Sequence, residues 1–410
     1  MTTTVPHCRA CRSGALEIVL DLGSTPLANR LLSASELHQA EQRFPLALAF
    51  CNDCSLVQIT ETVPAEILFR HYLYFSSFSD ALVRHAAELV EQTLRERRLD
   101  EKSLVMEVAS NDGYLLQHYR RWGVPVLGIE PATNIAAVCR DRGIPAIAEF
   151  FEPQIAARLA AEGRRADVIH ANNVLAHFAD PNDFFAALKV LLAADGAAIV
   201  EVPYVKDMID AVEFDTIYHE HRSYFSLTAM NRLCASHGMV IARVERLAIH
   251  GGSLRVWIEH SGRGKQTSGA TALLDEEQKW GVHRPNFYRA FGSSVQTLRA
   301  RLLGLVEGLK KRGGRIAAYG CSAKGSTLLN YFGIGRETLD FVVDRSTAKQ
   351  GLFTPGTHLP VFAPDKLLES MPEHALLLTW NFEREILSQQ AEYRRRGGHF
   401  IVPIPEPRIV

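Results

Sequence analysis

The sequence predicts an α/β protein in three parts, and three observations carry that prediction. Four of the seven cysteines fall in two C-x-x-C pairs near the start of the chain. From about residue 75, short apolar runs alternate with helix-length amphipathic segments, the rhythm of βαβ units in a mainly parallel sheet. That rhythm restarts after a long helical pattern, Phe287 to Lys311, which ends at Gly313-Gly314. At roughly 150 residues per domain, 410 residues make two to three domains. The expected boundaries are 1–74, 75–262 and 263–410.

The first part carries Cys8-Arg9-Ala10-Cys11 and Cys51-Asn52-Asp53-Cys54. Each C-x-x-C turn directs two sulfurs to one point, and two such turns make the tetrahedral thiolate shell that zinc takes. A strand-like Leu16–Leu20 follows the first pair and Leu46–Phe50 leads into the second, a zinc-ribbon-like layout with a long insert. A closed shell of Cys8, Cys11, Cys51 and Cys54 leaves no open position, so the expected zinc is structural. His7 reads as a neighbour of the cluster.

In the second part the expected strands are Leu104–Ala109, Val126–Glu130, Ala146–Glu149, Asp167–Ala171, Ala197–Val202, Val240–Val244 and Leu254–Ile258. Only the short Gly251-Gly252 turn separates the last two, so one of them is expected antiparallel. The first strand runs into Ala109-Ser-Asn-Asp-Gly113 and then a helix. Glu107 lies in the strand, Asn111 and Asp112 offer hydrogen bonds, and Gly113 permits close backbone approach. Glu130 emerges at the end of the next strand, where an open α/β sheet binds ligands and an acid suits a ribose diol. Asn172 and Asn173 end the fourth strand. These polar strand ends predict a nucleoside cofactor, and the missing G-x-G-x-x-G argues against a nicotinamide dinucleotide.

After the fifth strand the chain reads Tyr218-His-Glu-His-Arg-Ser-Tyr-Phe-Ser226. Without H-E-x-x-H spacing it is no zinc-protease motif. Instead it offers a near-neutral base, with a carboxylate such as Glu220 to hold the imidazole. His177, His237 and His250 are single histidines and weaker candidates. A polar stretch, Gly262 to Glu277, separates this part from the third, whose expected strands are Arg315–Tyr319, Phe341–Val343 and Ala375–Leu378.

The formal net charge of −1 gives no positive field to hold nucleic acid or an anionic membrane. No apolar run approaches the roughly 20 residues of a bilayer span, and the N-terminus lacks a basic start followed by an apolar run. A cytoplasmic protein is expected.

Together these residues resemble one family, the bacterial sugar C-methyltransferases of deoxysugar biosynthesis, related to the TDP-sugar 3-C-methyltransferases. The likeness runs nearly end to end. It takes in both cysteine pairs, His71-Tyr-Leu-Tyr-Phe-Ser-Ser77, Ser110-Asn-Asp-Gly113, Asn172-Asn-Val-Leu-Ala-His177, Tyr218-His-Glu-His221 and His250-Gly-Gly-Ser-Leu-Arg255. In the tail it takes in Tyr319-Gly-Cys-Ser-Ala-Lys-Gly325, Asp344, Lys349-Gln-Gly351, Pro355-Gly-Thr-His358 and Asn381-Phe382. Ala109, where the family often has glycine, and Cys321-Ser322 depart from the pattern without removing a catalytic group.

The resemblance implies a class I S-adenosylmethionine (SAM) methyltransferase with a Rossmann-like sheet, flanked by the zinc module and a second Rossmann-like α/β domain. A nucleotide-linked 4-keto sugar would bind between the catalytic and C-terminal domains. A base removes the proton beside the ketone, at carbon 3, and the enolate takes the SAM methyl. The pattern implies His221 as base, Glu220 and Tyr218 as its orienting or enolate-stabilising partners, and His177 and Tyr72 in the same pocket. Glu107, Asn111, Gly113, Glu130, Asn172 and Asn173 would hold SAM. Substrate would meet His250, Gly320, Lys324, Asp344, Lys349, His358 and Asn381, with the Gly320–Gly325 turn and Lys324 at the diphosphate. Rival readings are a sugar O- or N-methyltransferase, an NAD(P)-dependent nucleotide-sugar reductase or epimerase, and a non-enzymatic zinc scaffold.

Overall fold

The alternating apolar runs of the middle part pair into one sheet of seven strands among the described residues. The strands run in the order Met239–Leu247, Ser253–His260, Leu192–Pro203, Ala166–Asn172, Val105–Val108, Val126–Ile129, Ala146–Ile147. The structure is a computed structural model and describes residues 3–70 and 74–410. Ser253–His260 is antiparallel to both its neighbours, and the remaining pairings are parallel. The tight Gly251-Gly252 turn causes this, because it leaves no room for a crossover. The chain's direction of travel across the sheet reverses between Val105–Val108 and Ala166–Asn172. A doubly wound sheet opens a ligand crevice outside the strand ends at such a point.

The N-terminal part forms a second sheet in which Leu16–Pro26, Arg43–Cys51 and Val57–Ile59 pair antiparallel. Its fourth strand comes from far along the chain: Ser223–Tyr224 pairs with Gln58 and Val57. Buried Arg9 donates to the carbonyls of Ala179 and Glu61, and buried Arg222 donates to Val63, so both guanidinium groups are hydrogen-bonded across the join.

The polar stretch 262–277 is no simple spacer. Ser268–Trp280 is a helix whose buried Glu277 accepts from the Leu227 and Thr228 backbone N–H groups and from Tyr204 Oη. A carboxylate at the first turn of helix Leu227–Ser236 is favoured by the helix dipole, and this accounts for an acid inside the protein.

The third sheet runs Val361–Phe362, Val342–Val343, Ile316–Tyr319, His374–Leu377, His399–Val402, Arg408–Ile409 and is parallel except at its last strand. Helix Pro285–Lys311 joins this domain to the zinc module. Gly292 lets it cross Val19 closely, since a Cβ there would lie 3.3 Å from the Val19 carbonyl. Leu20 and Leu46 of the module, Phe291 and Leu302 of the helix, and Leu328 and Leu376 of the last domain share one apolar core. Among the described residues no helix is long and apolar enough to cross a membrane.

Candidate active site

A cavity of about 520 Å³ lies outside the carboxyl ends of the central strands and reaches the strand ends of the C-terminal domain. Asn111, Glu130, Asn172, Asn173, His177, Tyr218 and His221 border it from the catalytic domain. Lys324, Asp344, Lys349 and Asn381 border it from the C-terminal domain.

At the nucleoside edge, Glu130 follows Val126–Ile129 and is nearly buried. Its two oxygens accept the N–H groups of Asn111, at 2.9 Å, and Ala132, at 2.8 Å. Burial pushes its carboxyl up to about 7, and those two hydrogen bonds oppose the shift. Asn172 contributes a buried Oδ1 that has no hydrogen-bond partner among the described residues. A carboxylate with spare lone pairs and an unmet amide oxygen fit the hydroxyl and amine donors of an adenosyl amino acid.

The remaining expected cofactor residues are arranged differently. Asn111 uses its amide to hold the neighbouring chain, donating to the Tyr74 carbonyl and accepting from the Ser76 N–H. Glu107 does not border the cavity: strand alternation puts it on the face of Val105, where burial pushes its carboxyl well above the ordinary range. Gly113, at φ +82°, serves packing, because a Cβ there would meet Ile144 Cδ1 at 2.3 Å.

The chemistry gathers around His221. Its Nδ1 lies 2.9 Å from the Thr216 carbonyl oxygen, which only accepts, so Nδ1 carries the proton of the neutral ring. Nε2 is then the lone-pair nitrogen and accepts the Tyr218 hydroxyl at 2.8 Å. His177 stacks on Phe69 at 5.2 Å and lies tilted against His221, ring centres 5.1 Å apart. Burial, reinforced by the Arg222 charge, lowers the His177 pKa to about 3 and keeps that ring neutral. Among the described residues Thr216 and Tyr218, rather than the expected Glu220, meet the two ring nitrogens of His221. The Glu220 carboxylate accepts from Asn29 Nδ2 at 2.8 and 2.9 Å. Asn29 comes from the zinc module and borders the cavity. Nothing in Pro26-Leu-Ala-Asn29 marks it in the sequence, nor does any motif mark the Thr216 carbonyl.

On the C-terminal side several groups of the expected diphosphate cradle have partners within the protein. The Cys321 N–H donates to Asp344, and Ser322 caps its helix by accepting the Gly325 N–H. Lys349 donates to the Cys321 carbonyl. Lys324 lies 3.6 Å from Glu213 and 4.6 Å from the Trp380 ring centre. Gly320 is set by packing, since a Cβ there would meet Thr379 Oγ1 at 2.4 Å. His358 lies outside the cavity and pairs with Glu41 at 3.1 Å. His250 is in the short turn Ile249–Gly251, and its side chain lies outside the described residues. Tyr72 lies outside the described residues.

The four cysteine sulfurs converge within 4.8 Å of one another, with Cys8–Cys54 at 3.4 Å and Cys11–Cys51 at 3.6 Å. A tetrahedron with Zn–S bonds of about 2.3 Å has edges near 3.8 Å, so the donors fit zinc.

This fold and site define a methyltransferase, and comparison with known proteins agrees. Residues 75–244 match the family model described as "Methyltransferase domain", 248–405 match "C-methyltransferase C-terminal domain", and 8–69 match "Putative zinc binding domain". C-methyltransferase NovU of Streptomyces niveus is 35% identical over 407 residues, covering 99% of this chain and 97% of NovU. The chain belongs to this bacterial C-methyltransferase family: it is a SAM-dependent C-methyltransferase with a zinc-binding four-cysteine cluster. Two solved structures are similar to part of it. Magnesium protoporphyrin IX methyltransferase of Synechocystis PCC 6803 is 14% identical, with TM-score 0.34 over 44% of this chain and 79% of that one. A SAM-dependent methyltransferase of Clostridium acetobutylicum is 10% identical, with TM-score 0.36 over 44% and 92%.

Proposed function

We propose that the substrate is a nucleotide-linked 4-keto deoxysugar, methylated at carbon 3 through an enolate, with His221 as the base. The observation that carries the reading is the His221–Tyr218 pair, a lone-pair nitrogen and a phenol 2.8 Å apart on the cavity wall. Rotation about the Tyr218 C–O bond turns its proton from Nε2 to the ketone oxygen without moving Oη. Nε2 then takes the carbon-bound proton, while the phenol donates to the enolate oxygen. SAM supplies a sulfonium methyl: the enolate carbon forms the new C–C bond and the S–CH₃ electron pair returns to sulfur. Thr216 accepts from the imidazolium Nδ1–H throughout. Neutral His177 and Phe69 wall the ring on one side, and Asn29 fixes Glu220 beside it. Asp344, Lys349 and Asn381 offer the nucleotide moiety its polar partners. The three parts, 1–74, 75–262 and 263–410, act together, since each contributes to this wall.

A heteroatom methyltransferase has no need of a base paired with an oxyanion donor, so the pair favours carbon. His221→Asn is expected to abolish methyl transfer to a nucleotide 4-keto sugar while S-adenosylhomocysteine still binds. Turnover retained by this variant would remove His221 as the base.

A further inference from the structure

The base is held by a segment that the C-terminal domain grips directly. Residues Phe214–Thr216 form a short 3₁₀ turn, and the Thr216 carbonyl at its end accepts the His221 Nδ1–H at 2.9 Å. Helix Ala323–Phe332 of the C-terminal domain lies against this turn. Phe332 stacks on Phe214 with ring centres 4.7 Å apart, and Thr327 Oγ1 donates to the Ile217 carbonyl at 3.3 Å. Trp380 Nε1–H donates at 2.7 Å to Oδ2 of Asp215, which is fully buried. Lys324 lies over the Trp380 ring and within 3.6 Å of Glu213, the residue before the turn. Burial pushes the Asp215 carboxyl up, while the Lys324 charge and the Trp380 donor favour its ionised form.

A buried carboxylate is costly unless it is hydrogen-bonded and faces a positive charge. The positive charge and the side-chain donor here both come from the other domain, beside the backbone N–H groups of Asp215 and Thr216. Lys324 borders the cavity as well, as do Asn381 and Phe382 of the turn Trp380–Phe382. We infer that Asp215 is a positioning residue. Trp380 and Lys324 fix it, it fixes the Thr216 carbonyl, and that carbonyl sets the tautomer and direction of the His221 ring. The substrate-facing edge of the C-terminal domain thereby aligns the base in the catalytic domain. The inference rests on His221 being the base, so its test needs a readout independent of turnover.

The test uses full-length enzyme labelled with ¹⁵N-histidine. The His221 Nδ1–H resonance is assigned by its loss in His221→Asn, and Trp380→Phe keeps an aromatic ring but removes the donor. The expected result is exchange of that proton with water at least about tenfold faster and kcat about tenfold lower. S-adenosylhomocysteine affinity stays within about twofold. Either exchange or kcat remaining within about twofold of the parent overturns the inference. Should Trp380→Phe fail to fold, Asp215→Asn keeps the side-chain volume, removes the buried charge that Trp380 and Lys324 stabilise and is read by the same two criteria. A His221→Asn variant that keeps turnover would overturn the base assignment alone and leave the exchange comparison intact.

Discussion

The residues around the cavity are tuned by burial more than by direct charge pairing, and this makes their behaviour testable with pH. Glu130 sits at about 7 in the folded chain against an ordinary 4.5. Between those values the folded protein holds a proton that the unfolded chain releases, so this group's contribution to stability declines as pH rises through the window. A ribose diol needs the ionised carboxylate as acceptor, so SAM affinity is expected to rise with pH up to about 7. Well below that, it should weaken by about tenfold per pH unit. Titration calorimetry at several pH values checks this: Glu130→Gln should bind more weakly with a flattened profile, and an unchanged slope would contradict the role. Tyr218→Phe removes the proposed enolate donor. Its kcat is expected to fall about 10²–10³-fold with little change in KM for SAM, as measured for other oxyanion donors. At this scale the sequence was informative about which residue types meet. Tyr218, His221, His177 and Glu130 all border the cavity, because polar residues at strand ends and in the loop after the fifth strand project toward a sheet's carboxyl edge. Hydrogen-bond partners were not legible. Glu220 looked like the holder of His221 because it is adjacent in sequence, yet backbone direction gives that task to the Thr216 carbonyl.

Among the elements, the strand Ser223–Tyr224 has the largest consequence. It extends the candidate catalytic loop into the zinc module's sheet, pairing with Val57–Ile59, which begins three residues after Cys54. The four-cysteine cluster therefore adjoins an edge on which the loop is built. Cys51→Ser is expected to lower zinc content. In hydrogen exchange it should speed amide exchange over 218–226 more than over the central strand Val105–Val108. Unchanged zinc content would overturn the four-cysteine shell, and exchange confined to the module would overturn the mechanical link. Two-residue strands such as Ser223–Tyr224 and Val361–Phe362 carry too little periodicity to be read from sequence, whereas the longer apolar strands of the central sheet declared themselves. The helix Ser268–Trp280 was hidden for another reason: its buried acid, Glu277, reads as solvent-facing until its helix-capping partners are known.

Across the whole molecule, the three parts enclose one site, and helix Pro285–Lys311 ties the first to the last. Leu302 is fully buried in the core they share. Leu302→Ala is expected to cost about 2–5 kcal/mol and to lower together the midpoints of zinc release and of C-terminal-domain unfolding. Separate midpoints in a denaturant titration followed by a zinc dye and far-UV circular dichroism would show that the parts are independent. The cavity's chemistry needs this joint construction. Asn29 reaches Glu220 from the zinc module, and Lys324 and Trp380 reach the segment that holds His221 from the C-terminal domain. The tandem α/β rhythm pointed to a site between domains, but contacts between residues some 190 positions apart, as for Asn29 and Glu220, leave no pattern in a single sequence. The central claim is that this assembly makes a carbanion equivalent beside a ketone for methyl transfer. Its most direct test is mass spectrometry of a nucleotide 4-keto sugar incubated in heavy water with enzyme and S-adenosylhomocysteine. The account predicts uptake of one deuterium at carbon 3 that requires the enzyme and is lost in His221→Asn. Methyl transfer from SAM with no such uptake, and with the methyl group found on oxygen or nitrogen, would contradict it.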